Sequence, residues 1–92
     1  KMERISGPIN GYYIAAYTVE SGDEHVGFAK ICIVLPEAVH GINAQHKVRG
    51  HHLYPNAQQA LESAEFRAKE IVAKLPPNWH PFSADTLLNS LT

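Results

Sequence analysis

Two runs of the sequence, at residues 12–19 and 26–35, are rich in aromatic and β-branched residues. Such runs are typical of β-strands. Residues 20–24, which lie between the two runs, are polar and include a glycine, which suits a tight turn. The pattern therefore predicts a β-hairpin that follows a short lead-in at residues 1–11 and ends at Pro36.

A third strand is predicted at residues 46–53, after a loop at residues 36–45. Its pattern is weaker, because only Val48 and Leu53 are strongly apolar and Gly50 interrupts the run. Charged side chains on an edge strand discourage pairing between the sheets of different molecules. We therefore expect this strand to lie at an edge of the sheet.

The apolar spacing changes to that of a helix after residue 56, with apolar side chains every three or four residues. These side chains are Ala57, Ala60, Leu61, Ala64, Ala68, Ile71, Val72 and Leu75. Asn56 is a favourable N-cap residue, and Gln59 occupies the matching position of a capping box. Glu65 and Lys69 are spaced as a surface ion pair along the helix. Prolines at positions 76 and 77 are expected to end it.

The length of 92 residues fits a single domain. We expect a core at residues 12–75 and an apolar C-terminal tail at residues 76–92, in which Ser83 could cap a short helix. The predicted fold class is α+β: a three-stranded antiparallel sheet (β-β-β) followed by one long helix packed on one face, plus the tail.

Both faces of this predicted sheet are apolar, although a single helix can cover only one of them. In the second strand Ala29, Ile31, Ile33 and Leu35 share the side that we expect to pack on the helix. The opposite side is apolar apart from Lys30. The first strand has two apolar sides as well, so the second sheet face needs a cover.

Surplus apolar side chains on the second sheet face, the outer helix face and the tail predict a protein interface. The candidate residues are Phe28, Phe66, Trp79, Phe82, Leu87 and Leu88. Three covers fit this pattern: the chain's own tail, a second copy of the chain, and a different protein. A homodimer is a simple solution because a twofold interface uses one patch twice.

Composition and charge narrow the choice of partner. Hydrophobic residues make up 45% of the chain and charged residues 18%, and the net charge is −1. The charged fraction is below the roughly 25% of typical domains, which suits surface that becomes buried on association. A near-neutral chain gives no global electrostatic reason to bind nucleic acid or a membrane. Because the single Cys32 cannot form an internal disulfide, the cytoplasm is the expected location.

A local basic patch provides the alternative hypothesis. Lys47, Arg49 and His51 would line one face of a regular third strand. Tyr12, Tyr17 or Phe28 could supply surfaces on which bases stack, as in sheet-based binders of single strands. The alternative function is therefore a small nucleic-acid-binding domain, and the near-neutral net charge argues against it.

Catalytic and metal motifs are not readable in the sequence. Histidines crowd the third strand, but neighbours such as His51 and His52 point to opposite faces, with no nearby cysteine to complete a site. Cys32 lies in mid-strand, where it is expected to be a packing residue. Single, scattered glycines form no phosphate-binding loop. We therefore predict no catalytic residue, no metal site, no cofactor and no enzyme activity.

The layout resembles small bacterial β-β-β-α domains of unknown function. The matching segments are YYI at residues 12–14, FAKI at residues 28–31 and NAQQA at residues 56–60. The resemblance extends over residues 12–75 and concerns the fold, so it implies no site residue. The surplus apolar surface on the second sheet face and in the tail makes a noncatalytic, self-associating protein-interaction module the leading hypothesis.

Overall fold

A four-stranded antiparallel sheet with one helix across one face makes up the described part of the chain. The computed structural model describes residues 1–39, 46–50 and 52–78. The elements are β1 (Glu3–Ile9), β2 (Tyr12–Ser21), β3 (Glu24–Cys32), β4 (His46–Arg49) and α1 (Ala57–Lys74). The strands lie in the order β1-β2-β3-β4. The predicted α+β class, an antiparallel sheet followed by a packed helix, is confirmed, with one strand more than expected.

The unexpected strand is β1, which lies within the segment predicted to be a lead-in. Asn10 and Gly11 connect β1 to β2, and both have positive φ, at 53° and 83°. Two such residues in a two-residue loop are the mark of a type I′ hairpin turn, for which Asn-Gly is the preferred sequence. Pro8 lies inside β1, where the register shifts, and prolines within sheets are confined to edge strands, strand starts and bulges. Because Pro8 interrupts the pattern of a strand, β1 was not predicted from the sequence.

The second and third predicted strands are shorter than their apolar runs. β3 ends at Cys32, which pairs with Tyr13, because β2 offers almost no further residue with which to pair. Ile33 and Leu35 lie beyond this end and are exposed, so the expectation that they pack on the helix is wrong. β4 ends at Arg49 and lies at an edge of the sheet, as predicted.

The helix begins and ends where the sequence predicts. The side chain of Asn56 accepts a hydrogen bond from the backbone N–H of Gln59 at 2.8 Å, as an N-cap does. At the other end Leu75 has an extended backbone, with ψ of 156°. A residue that precedes a proline is driven out of helical conformation, so Pro76 accounts for this ending.

The core lies between α1 and the sheet face that it covers. Its largest fully buried side chains are Ile14, Ile31, Leu61, Val72 and Thr18. Small residues bring helix and sheet close together: Ala60, Ala64 and Ala68 are fully buried on α1. A Cβ atom at Gly27 of β3 would lie 2.0 Å from the backbone oxygen of Ala60, so only glycine fits at this crossing.

Candidate binding surfaces

The sheet face opposite α1, which we call the open face, carries two rows of side chains that cross all four strands. One row is Glu3, Tyr17, Phe28 and Arg49, and the other is Ile5, Ala15, Lys30 and Lys47. Directly opposed residues of antiparallel strands point to the same face, with Cβ atoms about 5 Å apart. The strand register thus places three cationic side chains at neighbouring positions of β3 and β4.

Two aromatic rings lie among these cations. Tyr17 and Phe28 are stacked, with centroids 5.5 Å apart and planes inclined by 20°. The Nζ atom of Lys30 lies 5.7 Å from the Tyr17 centroid, and that of Lys47 lies 5.6 Å from the Phe28 centroid. Both distances are within the range of a cation–π contact. We call Tyr17, Phe28, Lys30, Lys47 and Arg49 the aromatic–basic patch.

Part of the open face is covered by the segment that follows β3. Val39 is buried against Ala15 and Tyr17, and the ammonium of Lys30 donates a hydrogen bond to the Val39 carbonyl at 3.0 Å. The sequence pattern predicts only a loop here. Because Val39 covers Tyr17, the accessible ring of the aromatic–basic patch is Phe28, which is half-buried.

Opposite charges lie at opposite sides of the open face. Glu3 and Glu37 line a shallow groove of ≈ 310 Å³ between β1 and residues 37–39, whereas Lys47 and Arg49 lie on β4 at the far edge. Although the net charge of the chain is −1, the β3–β4 side of the open face therefore has a local excess of positive charge. Lys30 and Lys47 are directly opposed, an arrangement of like charges that costs stability.

A second surface consists of three consecutive exposed aliphatic residues where the chain leaves β3. Ile33, Val34 and Leu35 have 47%, 67% and 63% of their surface exposed, and we call them the apolar corner. The Nδ2 atom of Asn78 donates hydrogen bonds to the carbonyls of Ile33 at 2.9 Å and Gly11 at 2.8 Å. Single exposed aliphatic residues are ordinary, but a contiguous group on a tethered backbone is typical of an interaction site.

The predicted interface residues do not form one surface. Phe28 lies on the open face, whereas Phe66 lies on α1 and is 61% exposed, as its predicted place on the outer helix face requires. These two residues are therefore on different layers of the fold. The other four candidates, Trp79, Phe82, Leu87 and Leu88, lie outside the described residues.

The predicted nucleic-acid contacts are partly brought together. Lys47 and Arg49 share the open face with Phe28, while His51 lies outside the described residues. Tyr12 cannot serve as a stacking surface, because it is buried in the core on the helix side and its hydroxyl donates to the Pro76 carbonyl at 2.7 Å. Lys30 is the member of the patch that the sequence reasoning missed.

The nucleophilic and metal-binding chemistry of the described residues is limited. Cys32 is buried, and this burial raises the pKa of its thiol, an effect that nearby Lys30 only partly opposes. A catalytic cysteine needs the opposite, a lowered pKa and access to substrate. Within residues 1–39, 46–50 and 52–78 no three histidine, cysteine or acidic side chains are grouped so that they could hold a metal ion.

Comparisons with known proteins return no match from family models, from curated proteins or from solved structures. Among the described residues, no helix has the length and apolarity needed to cross a bilayer.

Proposed function

We propose that this protein is a noncatalytic protein-interaction module that associates with a second copy of itself through the apolar corner. The observation that carries the proposal is the exposure of Ile33, Val34 and Leu35, three aliphatic side chains in succession. Removal of apolar surface from water is worth about 25 cal/mol per Å². A patch of this kind therefore favours a partner that covers it.

A second copy is the partner we favour, because in a twofold-symmetric dimer the same apolar patch of each molecule contacts that of the other. The position of the apolar corner helps, since it projects beyond the paired part of β3 and is not surrounded by the charges of the aromatic–basic patch. A chain with only 18% charged residues has little repulsion to overcome. We place the module in a bacterial cytoplasm, where a lone Cys32 stays reduced.

The experiment is light scattering of the purified protein from micromolar to submillimolar concentration. We expect the mass to rise from the monomer value of 10.2 kDa towards twice that value. The double substitution Val34→Ser and Leu35→Ser should hold the protein at the monomer mass. Both side chains are mostly exposed, so the monomer itself should keep its fold.

The matched control is Leu53→Ser, which changes another exposed aliphatic residue outside the apolar corner. It should associate like the unmodified protein. A monomer mass at every concentration, or equal association by the double variant, would show that the apolar corner does not mediate self-association.

The same light-scattering experiment tests the tail residues and the outer face of α1 with separate variants. Trp79→Ala and Phe82→Ala are expected to weaken association without unfolding the domain, since both belong to the apolar surplus seen in the sequence. Phe66→Ser tests the outer face of α1 in the same way. Unchanged mass and stability for a variant would remove that residue from the proposed interface.

A further inference from the structure

We infer that the aromatic–basic patch is a binding site for single-stranded nucleic acid, with Phe28 stacking on a base and Lys47 and Arg49 contacting phosphates. This site is distinct from the apolar corner, because Phe28 and Ile33 are five residues apart on the chain, or about 17 Å along an extended strand. The inference therefore does not depend on self-association.

The phosphate side of the site is the edge strand β4. Lys47 and Arg49 are both exposed and lie two residues apart, which puts their side chains on one face about 7 Å apart. Lys30, directly opposed to Lys47, adds a third positive charge. Such crowding is unfavourable in the isolated protein, and an anionic ligand would relieve it. Sites that violate a local folding rule are often functional.

The base side of the site is Phe28. Its ring is half-buried, so the sheet holds it in place while part of its surface is accessible. Tyr17 stacks against it from the neighbouring strand, and Arg49 is its directly opposed neighbour on β4. The ammonium of Lys47 lies 5.6 Å from the Phe28 centroid, so a base that stacks on this ring takes the place of the ammonium, and the exposed Lys47 side chain turns to a phosphate. Stacking on an aromatic side chain, beside basic groups that follow the backbone, is the general mode of single-strand recognition.

The geometry favours a single strand over a duplex and over an acidic peptide. The bases of a duplex are stacked on one another and cannot reach a ring that is part of a sheet surface. An acidic peptide would use the three cations but not the accessible part of the Phe28 ring. The ligand that uses both kinds of group is a single strand with unstacked bases.

The test is fluorescence anisotropy with a labelled oligothymidylate of about 20 nucleotides, long enough for one binding site. We expect a dissociation constant of roughly 1–100 µM, in the range of sequence-independent binding. Two phosphate contacts should weaken binding about sevenfold between about 50 and 200 mM salt. Circular dichroism of each variant establishes that the fold is retained.

Two matched pairs of variants assign the binding to the patch. Lys47→Gln with Arg49→Gln should reduce affinity about tenfold or more and flatten the salt dependence. Lys69→Gln with Lys74→Gln makes the same change of net charge on α1, away from the open face, and should have little effect. Comparison of the two double variants shows whether affinity depends on where the positive charges lie or only on how many there are.

Phe28→Leu keeps an apolar side chain in the sheet but removes the stacking ring, so affinity should fall about tenfold. Phe66→Leu makes the identical change at an exposed position of α1 and should leave affinity unchanged. Variants of the apolar corner should bind the oligonucleotide normally.

Three outcomes would overturn the inference. The first is the absence of any binding at low salt, and the second is an equal loss of affinity in the α1 control variants. The third is displacement of the oligonucleotide by polyglutamate as efficiently as by unlabelled oligothymidylate, which would make the patch a general site for acidic chains. Binding that needs Phe28, Lys47 and Arg49 together supports the inference.

Discussion

Glu65 is a carboxylate buried in the face of α1 that packs on the sheet, with only 6% of its surface exposed. Its partner is Arg4 of β1: the Arg4 Nε donates to Glu65 Oε2 at 2.8 Å, and the Nη2 donates to Oε1. This hydrogen bonding, and then the charge of Glu65, raise the pKa of Arg4. The spacing of Glu65 and Lys69 suggests a surface pair along the helix, but the structure ties Glu65 to the sheet.

Replacement of Glu65 by Gln should destabilise the fold, because it removes the charge that Arg4 contacts while leaving a buried polar group. We expect a loss of about 1–2 kcal/mol in the free energy of unfolding, measured by urea denaturation. Glu70→Gln, on the exposed side of α1, should change it by less than about 0.5 kcal/mol. Equal effects of the two variants would contradict a specific role for the Arg4–Glu65 pair.

At the scale of elements, small residues, glycine on β3 and alanines on α1, allow the helix and the strand to pack closely. The backbone oxygen of Ala60 would lie 2.0 Å from a Cβ at Gly27, and backbone atoms cannot rotate away as a side chain can. Nearby, the closest atom to a Cβ at Gly50 would be the side-chain oxygen of Ser63, at 3.1 Å. Both glycines therefore face α1, but a side chain should be tolerated better at Gly50 than at Gly27.

Gly27→Ala should push α1 away from the sheet and lower the free energy of unfolding by about 2–3 kcal/mol. Gly50→Ala should cost less than about 1 kcal/mol, since the closest contact is a side-chain oxygen at 3.1 Å and the nearest backbone atoms lie at 3.4 Å. Thermal and urea unfolding of the two variants side by side makes the comparison. A Gly27→Ala protein as stable as the Gly50→Ala protein would show that helix and sheet can separate without cost.

The lengths of β2 and β3 illustrate how turns decide what an apolar run becomes. Paired residues of these strands have numbers that add to 45, from Ser21 with Glu24 to Tyr13 with Cys32. The Asn10–Gly11 turn begins immediately before β2, so β3 has no partner far beyond Cys32. Ile33, Val34 and Leu35 continue the apolar run of β3, yet they become the apolar corner. An Asn-Gly pair read as a hairpin turn would have predicted this end.

At the scale of the molecule, hydrogen bonds of two asparagines, Asn10 and Asn78, join the β1–β2 turn to the C-terminal end of α1 and the residues that follow it. The Nδ2 atom of Asn10, in the β1–β2 turn, donates to the carbonyls of Val72 and Leu75 at 3.0 Å each. The backbone N–H of Asn78 donates in return to the Asn10 carbonyl at 3.0 Å. The hairpin turn thus caps the end of α1: Asn10 adds a second hydrogen bond to the Val72 carbonyl, which also accepts the Leu75 N–H at 3.1 Å, and it bonds the Leu75 carbonyl beyond the last helical residue.

Substitutions at Asn10 can separate its two roles, a backbone with φ of 53° and a cap for α1. Asn10→Gly keeps the backbone conformation and loses the hydrogen bonds, so it should cost about 1 kcal/mol. Asn10→Ala loses both and should cost about 2 kcal/mol or more, since left-handed backbone is unfavourable for alanine. The free energy of unfolding in urea measures the difference. Equal costs would mean that the backbone conformation contributes nothing.

The candidate sites were predictable to different degrees. The two-residue spacing of Lys47 and Arg49 was enough to place them on one face, because a strand has a period of two. Their position beside Phe28 and Lys30 required the pairing of β3 with β4, which no local pattern contains. The cover of the open face by Val39 was not predicted either, because it depends on where the chain goes after β3.

The sequence by itself determined the elements that local chemistry dictates: the helix between Asn56 and the prolines, the central hairpin, and the weak edge strand. These follow from capping, from the restricted backbone before proline and from apolar periodicity, all of which act within a few residues. The sequence also predicted that the Ala29 and Ile31 side of β3 receives the helix, as the core shows. Only the tertiary structure decided which partner paired with the charge of Glu65 and which apolar residues stayed exposed. Those outcomes depend on contacts between residues distant in the chain, and such contacts form only when register, packing distance and charge are satisfied together.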